Sequence, residues 1–206
     1  MKKISQEKLN ILINNHNLYF ESMSSDDTKG IKLILDEIDF TDNDLSDLNF
    51  VEVYITSSLF KNMSFENINF GGSELYSCHF DNVTFNNANF GKTVLDYAEI
   101  KNSRFCNSNL SSIETYEAVF KNVIFECCEF NGVFSHSKVK NVIFSDCHFK
   151  GTEFWKCIIK NLEFINMRNF SIEYLIKELN TGTFENAKFI SNKDAVNYFM
   201  ENITVS

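Results

Sequence analysis

The chain has 206 residues, no proline and only 7 glycines, which suits a single domain with a substantial core and argues against linkers. Its net charge is -9 and 44% of its residues are hydrophobic, yet no apolar run is long enough to span a bilayer, and Met1 to Asn10 lacks the apolar core of a signal peptide. The chain therefore reads as cytoplasmic, with no membrane contact, and its acidity opposes direct binding of nucleic acid.

The first element lies in residues 1–30. Ser5, followed by Glu7 and the apolar set Leu9, Leu12 and Ile13, with His16 and Leu18 beyond, predicts a capped amphipathic helix and a segment leading into the body of the chain.

Residues 31–168 follow a different rule. From Leu35 to Phe164 an apolar residue recurs at nearly every fifth position, as in Phe60, Phe65, Phe70, Leu75, Phe80, Phe85 and Phe90. Two residues earlier stands a second, mostly smaller one, such as Ser58, Cys78, Val83 or Ala88. The beat breaks at Thr115, and between Phe130 and Phe134 one unit is shortened to four residues. A five-residue period fits neither a helix at about 3.6 nor a strand at about 2, and so short a unit cannot bury its own apolar face, so the units must stack. A second period says how. Asn62, Asn82, Asn102, Asn122, Asn141 and Asn161 form one column recurring every twenty residues once the shortened unit is counted, which means four units per turn of a coil.

The units Asn87-Ala88-Asn89-Phe90-Gly91 and Cys106-Asn107-Ser108-Asn109-Leu110 read as a small residue, Asp or Asn, then Leu or Phe, then two variable positions. On them the chain resembles the pentapeptide-repeat proteins over roughly two thirds of its length. That resemblance implies a right-handed, quadrilateral β-helix with the central Phe or Leu and the small residue pointing inward. The expected fold is thus an all-β solenoid of about six to seven coils at a spacing of ~4.8 Å, with short α-helices at both ends. Phenylalanine rings repeated at that rise can offset-stack along one interior edge. The asparagine columns Asn62 to Asn161 and Asn49, Asn69, Asn89, Asn109 read as corner chemistry. Some relatives carry a short N-terminal helix ending near a His and an aromatic, which Asn15-His16-Asn17-Leu18-Tyr19-Phe20 resembles. Such a helix would cover the unpaired strand edges of the first coil.

The six cysteines have neither zinc nor disulfide spacing. Cys78, Cys128, Cys147 and Cys157 fall at the small inward position, and Cys106 and Cys127 face outward. Free thiols are expected, although Cys128 and Cys147 become neighbours on adjacent coils.

Residues 169–206 depart from the repeat, which lapses at Asn169. Ile172, Leu175, Ile176 and Leu179 take helical spacing and predict a helix over 171–180, inserted in or closing the last coil. Phe184 and Phe189 return to register, with Ala187 at the small position. A final helix is expected from about Asn192, with Ser191 and Asp194 as start signals and Ala195, Val196, Phe199, Met200 and Ile203 on one face. It either caps the rod or joins a second copy. The resemblance implies a homodimer, since several relatives pair through their C-terminal ends.

His16, His79, His136 and His148 lie on separate coils or faces, and no Ser/His/Asp, Cys/His or metal spacing converges. No catalytic, cofactor-binding or metal-binding residue is assigned, and a non-enzymatic interaction scaffold is expected. Its candidate partner face is the outward column Tyr54, Tyr76, Tyr97, Tyr116 and Trp155, interleaved with Glu74, Asp96, Glu114, Glu117 and Glu153. Aromatic residues are over-represented in interaction hot spots. Aromatic stacking across strands also stabilises exposed sheet faces by itself. A second column, Lys61, Asp81, Lys101, Lys121, Lys140 and Lys160, reads as a solvated edge that discourages sheet aggregation. For the partner, the resemblance implies a type II topoisomerase as the alternative to an unassigned protein: some pentapeptide-repeat proteins bind DNA gyrase or topoisomerase IV as acidic, duplex-sized rods and protect against quinolones or peptide toxins.

Overall fold

In the computed structural model, which describes residues 1–24, 26–46, 48–168 and 170–206, the repeat closes into a parallel β-solenoid of about seven turns. Neighbouring turns pair in the twenty-residue register read from the asparagine column. Phe60 stands opposite Phe80, Phe80 opposite Ile100, and Ile100 opposite Phe120. At the shortened unit the offset drops by one, pairing Phe120 with Val139, after which Val139 pairs with Ile159.

Each unit buries the residues the period singled out. Phe85 and Val83, or Phe90 and Ala88, are at most 2% exposed. The inward rings stack from turn to turn. Phe65, Phe85, Phe105, Phe125, Phe144 and Phe164 form one continuous ladder with centroid spacings of 4.6 to 5.3 Å. A shorter ladder joins Phe40, Phe60 and Phe80 at 4.8 and 4.7 Å. Serine at the small position satisfies its hydroxyl on the backbone: Ser103 Oγ donates to the Lys101 carbonyl at 2.7 Å and accepts from the Val83 N–H at 3.1 Å. Cysteine does the same more weakly, with Cys78 Sγ 3.4 Å from the Ile55 carbonyl. Thr115, where the beat breaks, is still buried in the inward place.

The corners need a left-handed residue, and from Phe50 to Leu110 it falls two places after each inward one. Asn62, Asn82, Asn102, Asn122, Asn141 and Asn161 all have φ between 52 and 57°, a region asparagine tolerates well. Their amides form ladders, with Asn122 Nδ2 donating to Asn102 Oδ1 at 2.9 Å and Asn141 Nδ2 to Asn122 Oδ1 at 2.9 Å. The second column forms the same ladder, with Asn89 Nδ2 donating to Asn69 Oδ1 at 2.8 Å and Asn109 Nδ2 to Asn89 Oδ1 at 3.0 Å, while Asn69 and Asn89 also accept from the N–H of Gly71 and Gly91, each at 3.0 Å.

Helix α1, Gln6–Ser22, starts where expected, with Ser5 Oγ accepting from the Lys8 N–H at 3.3 Å. It buries Leu9, Ile13 and His16. Strand Lys2–Lys3 pairs with Ile38–Asp39 and covers part of the edge.

The C-terminal region corrects three expectations. The segment 171–180 is not one helix: α2 spans only Ile172–Leu175, and Ile176–Asn180 is a strand lying parallel to Glu153–Ile165. The open edge of the last coil offers unpaired backbone groups, and that tertiary demand overrides a short helical pattern. Phe184 and Phe189 do not re-enter the core, being 43% and 46% exposed, and Ala187 is exposed as well. Phe189–Ser191 instead turns back antiparallel to Ile176–Asn180. The lapse of the beat at Asn169 lies outside the described residues. Helix α3, Asn192–Glu201, follows as expected. Ile203 is not on that helix but in strand Ile203–Val205, which pairs with Leu162–Phe164.

Candidate functional site

The outward aromatic residues do not form one straight column. Their inward neighbours are aligned, but Tyr54 precedes its inward residue by one place, Tyr76, Tyr116 and Trp155 follow by one, and Tyr97 follows by two. Among the described residues the ring contacts therefore form two runs. Tyr54 meets Tyr76 at 5.8 Å. Separately, Tyr97 meets Tyr116 at 5.6 Å, Tyr116 meets His136 at 5.1 Å, and His136 meets Trp155 at 5.1 Å. This second run is a zigzag. Tyr97 and His136 occupy left-handed corners, with φ of 60 and 52°, while Tyr116 and Trp155 sit one residue earlier in their own turns. Lys156 closes the run, its Nζ lying 4.7 Å from the Trp155 ring centre and 5.1 Å from that of Phe189.

His136, Lys156 and Phe189 were not placed with this face by the sequence pattern. A corner residue of one turn reaching the strand residue of the next is a diagonal relation that sorting by column conceals. Tyr97 and Trp155 are the most open members, 49% and 40% exposed.

The acids divide by role. Asp96 Oδ1 accepts from the Tyr116 N–H at 2.8 Å, so it braces the backbone of the next turn. Glu153 pairs with Lys177 at 2.6 Å, and Glu178 with Lys156 at 3.7 Å. Glu74, Glu114 and Glu117 form no ion pair among the described residues. Burial pushes the Tyr76 phenol up, with Glu74 adding to the effect. The Tyr116 phenol is raised chiefly by its hydrogen bond to Glu117. Both shifts favour the protonated, neutral phenol at Tyr76 and Tyr116.

The C-terminal residues are used mainly inward. Phe199 is fully buried, 6.3 Å from Phe154 and 6.1 Å from Phe164, and Val196 is half-buried. Met200 is 49% exposed. Helix α3 accordingly covers the last coil.

A groove of about 760 Å³ runs along another face, lined by Phe20, Asn69, Gly71, Asn89, Gly91 and Asn109. Its glycines serve the amide ladder: a Cβ on Gly71 would stand 2.9 Å from Asn89 Nδ2, and one on Gly91 3.0 Å from Asn109 Nδ2. Cys78, Cys128, Cys147 and Cys157 are buried free thiols, and Cys127 is exposed. Burial pushes Cys78 and Cys157 up to about 12. Among the described residues no group of His, Cys, Asp or Glu is arranged to hold a metal ion. No helix among them is long and apolar enough to cross a membrane.

Residues 58–134 match the family model described as a pentapeptide repeat region. No curated protein shows significant similarity to the chain. Among solved structures, full-length QnrB1, a plasmid-mediated fluoroquinolone resistance protein, is 16% identical over 70% of this chain and 89% of that one, with a TM-score of 0.38. HetL, a pentapeptide repeat protein involved in heterocyst differentiation regulation from the cyanobacterium Nostoc sp. strain PCC 7120, is 11% identical over 63% of each chain, with a TM-score of 0.45. Residues 58–134 of the chain are thus a pentapeptide repeat region, lying within the four-unit coils described above.

Proposed function

We propose that the protein is a non-enzymatic scaffold that engages a protein partner through the zigzag face Tyr97, Tyr116, His136 and Trp155. The observation that carries this reading is exposure combined with fixed geometry: rings locked at 5.1 to 5.6 Å from their neighbours while Tyr97 and Trp155 remain 49% and 40% open. Rigid aromatic side chains give contact area at little entropic cost, which is how interface hot spots are built. Affinity capture with wild type and with a Tyr97→Ala/Tyr116→Ala/Trp155→Ala variant tests it. Loss of specific partners by the variant is the expected result, and identical partner sets would remove the face from consideration.

A second reading, a binder of DNA gyrase or topoisomerase IV that confers quinolone or toxin resistance, is favoured by one observation. The tyrosine face carries Glu74, Glu114 and Glu117 without counter-ions among the described residues, an anionic strip fit for a cationic surface. A supercoiling assay with purified gyrase decides it: neither inhibition nor protection at micromolar protein would exclude this partner. Pairing of two copies through the C-terminal end is also a proposal, with Met200 as the exposed residue of α3 available for it.

A further inference from the structure

The lysine-bearing face is balanced at its N-terminal end and unbalanced further on. Lys61 pairs with Asp81 at 3.4 Å, and Lys101 with Glu99. On the following turns the same strand position holds Lys121, then Lys140, then Lys160, aligned residue on residue across parallel strands. Among the described residues these three form no ion pair. Like charges directly opposite one another on neighbouring strands destabilise a sheet. Elsewhere the rod sets opposite charges across turns, as with Arg104 and Glu126 or Lys156 and Glu178.

The loop of the C-terminal hairpin, residues 181–188, reaches back to this face. It places Phe184 in a surface pocket of about 300 Å³ shared with Lys101, Lys121, Lys138, Lys140 and Glu99. Glu99 answers Lys101, and Glu185 of the loop acts on Lys138. Among the described residues Lys121 and Lys140 form no ion pair, and they lie beside a ring that is 43% exposed. A multiply charged oxyanion shared by both ammonium groups would relieve their repulsion. The aromatic wall adds a stacking surface for a planar group.

We propose that this pocket binds a nucleoside polyphosphate, with the phosphates between Lys121 and Lys140 and the base against Phe184. The site is separate from the aromatic zigzag and independent of its partner.

Isothermal titration calorimetry with ATP and with inorganic tripolyphosphate tests the proposal on wild type, Lys121→Gln/Lys140→Gln and Phe184→Ala. These side chains are at the surface, and matching thermal melts establish that the variants are folded. The wild type should bind ATP saturably, and the double variant should bind it at least about tenfold more weakly. Phe184→Ala should weaken ATP several-fold and leave tripolyphosphate unchanged. No saturable ATP binding at millimolar concentration, or equal binding by the double variant, overturns the proposal. Equal affinity for the two probes with no effect of Phe184→Ala overturns it too, since the base would then make no contact.

Discussion

Gly132 stands opposite Ile113 so closely that a Cβ on the glycine would lie 2.5 Å from the Ile113 carbonyl oxygen and 3.0 Å from its nitrogen. This contact marks the shortened unit. The pairing steps from Asn131 opposite Ser111 to Val133 opposite Glu114, so one residue faces two and the backbones are drawn together. Only a residue without a side chain fits. Gly132→Ala should destabilise the rod by ~1–3 kcal/mol, read as a lowered denaturant midpoint. An unchanged midpoint would show that the turn relaxes freely there.

Phe85 sits mid-ladder, 5.2 Å from Phe65 and 4.6 Å from Phe105, with Phe90 edge-on at 5.1 Å. Phe85→Ala should cost about 3–5 kcal/mol, because the stacked turns cannot close around the void. Thermal melting measures the loss. An unaltered melting temperature would contradict the inward register.

His16 ties α1 to two turns at once. Its Nε2 donates to the Val51 carbonyl at 2.7 Å, and its Nδ1 accepts from the Leu33 N–H at 3.2 Å. His16→Ala strands both backbone groups in a fully buried site, at an expected cost of ~2–4 kcal/mol. Hydrogen exchange should show first-coil amides losing protection before those of the mid-rod. Uniform loss along the rod would argue against a local clamp.

Asp39 gives the fold an acid-sensitive contact at its N-terminal edge. The Thr41 hydroxyl, the Lys3 ammonium and the Thr41 N–H hold its carboxyl at about 2 instead of the ordinary 3.8. Because the folded value is the lower one, the stabilisation is present above the unfolded value and disappears as pH falls through about 2. With the side chain 21% exposed, it amounts to at most about 2 kcal/mol. Asp39→Asn should flatten stability against pH between 2 and 4 in urea titrations, and an unaltered acid slope would place the sensitivity elsewhere.

The body of the rod was legible because one constraint repeats: every turn must bury the same positions, so Phe65, Phe85 and Phe105 announce both coil and register. The shortened unit was equally plain from the spacing of Phe130 and Phe134, although the part played by Gly132 needed the backbone. What failed was the C-terminal end. Ile176 and Leu179 satisfy helical spacing and strand alternation about equally over so short a stretch, and the free edge of Glu153–Ile165 decided between them. In the face, Tyr116 and Trp155 were evident as exposed aromatics. His136 and Lys156 were not, because their approach depends on left-handed corners that swing toward the next turn.

Partner contact through the zigzag can be tested directly by placing a photoactivatable phenylalanine analogue at Tyr97 or, on the opposite charge face, at Lys160, and irradiating in cells that make the protein. A specific heteromeric crosslink from position 97 and none from position 160 is the predicted result. Crosslinks of equal pattern from both positions, or none from position 97, would contradict it and leave the rings as stacking that stabilises the sheet.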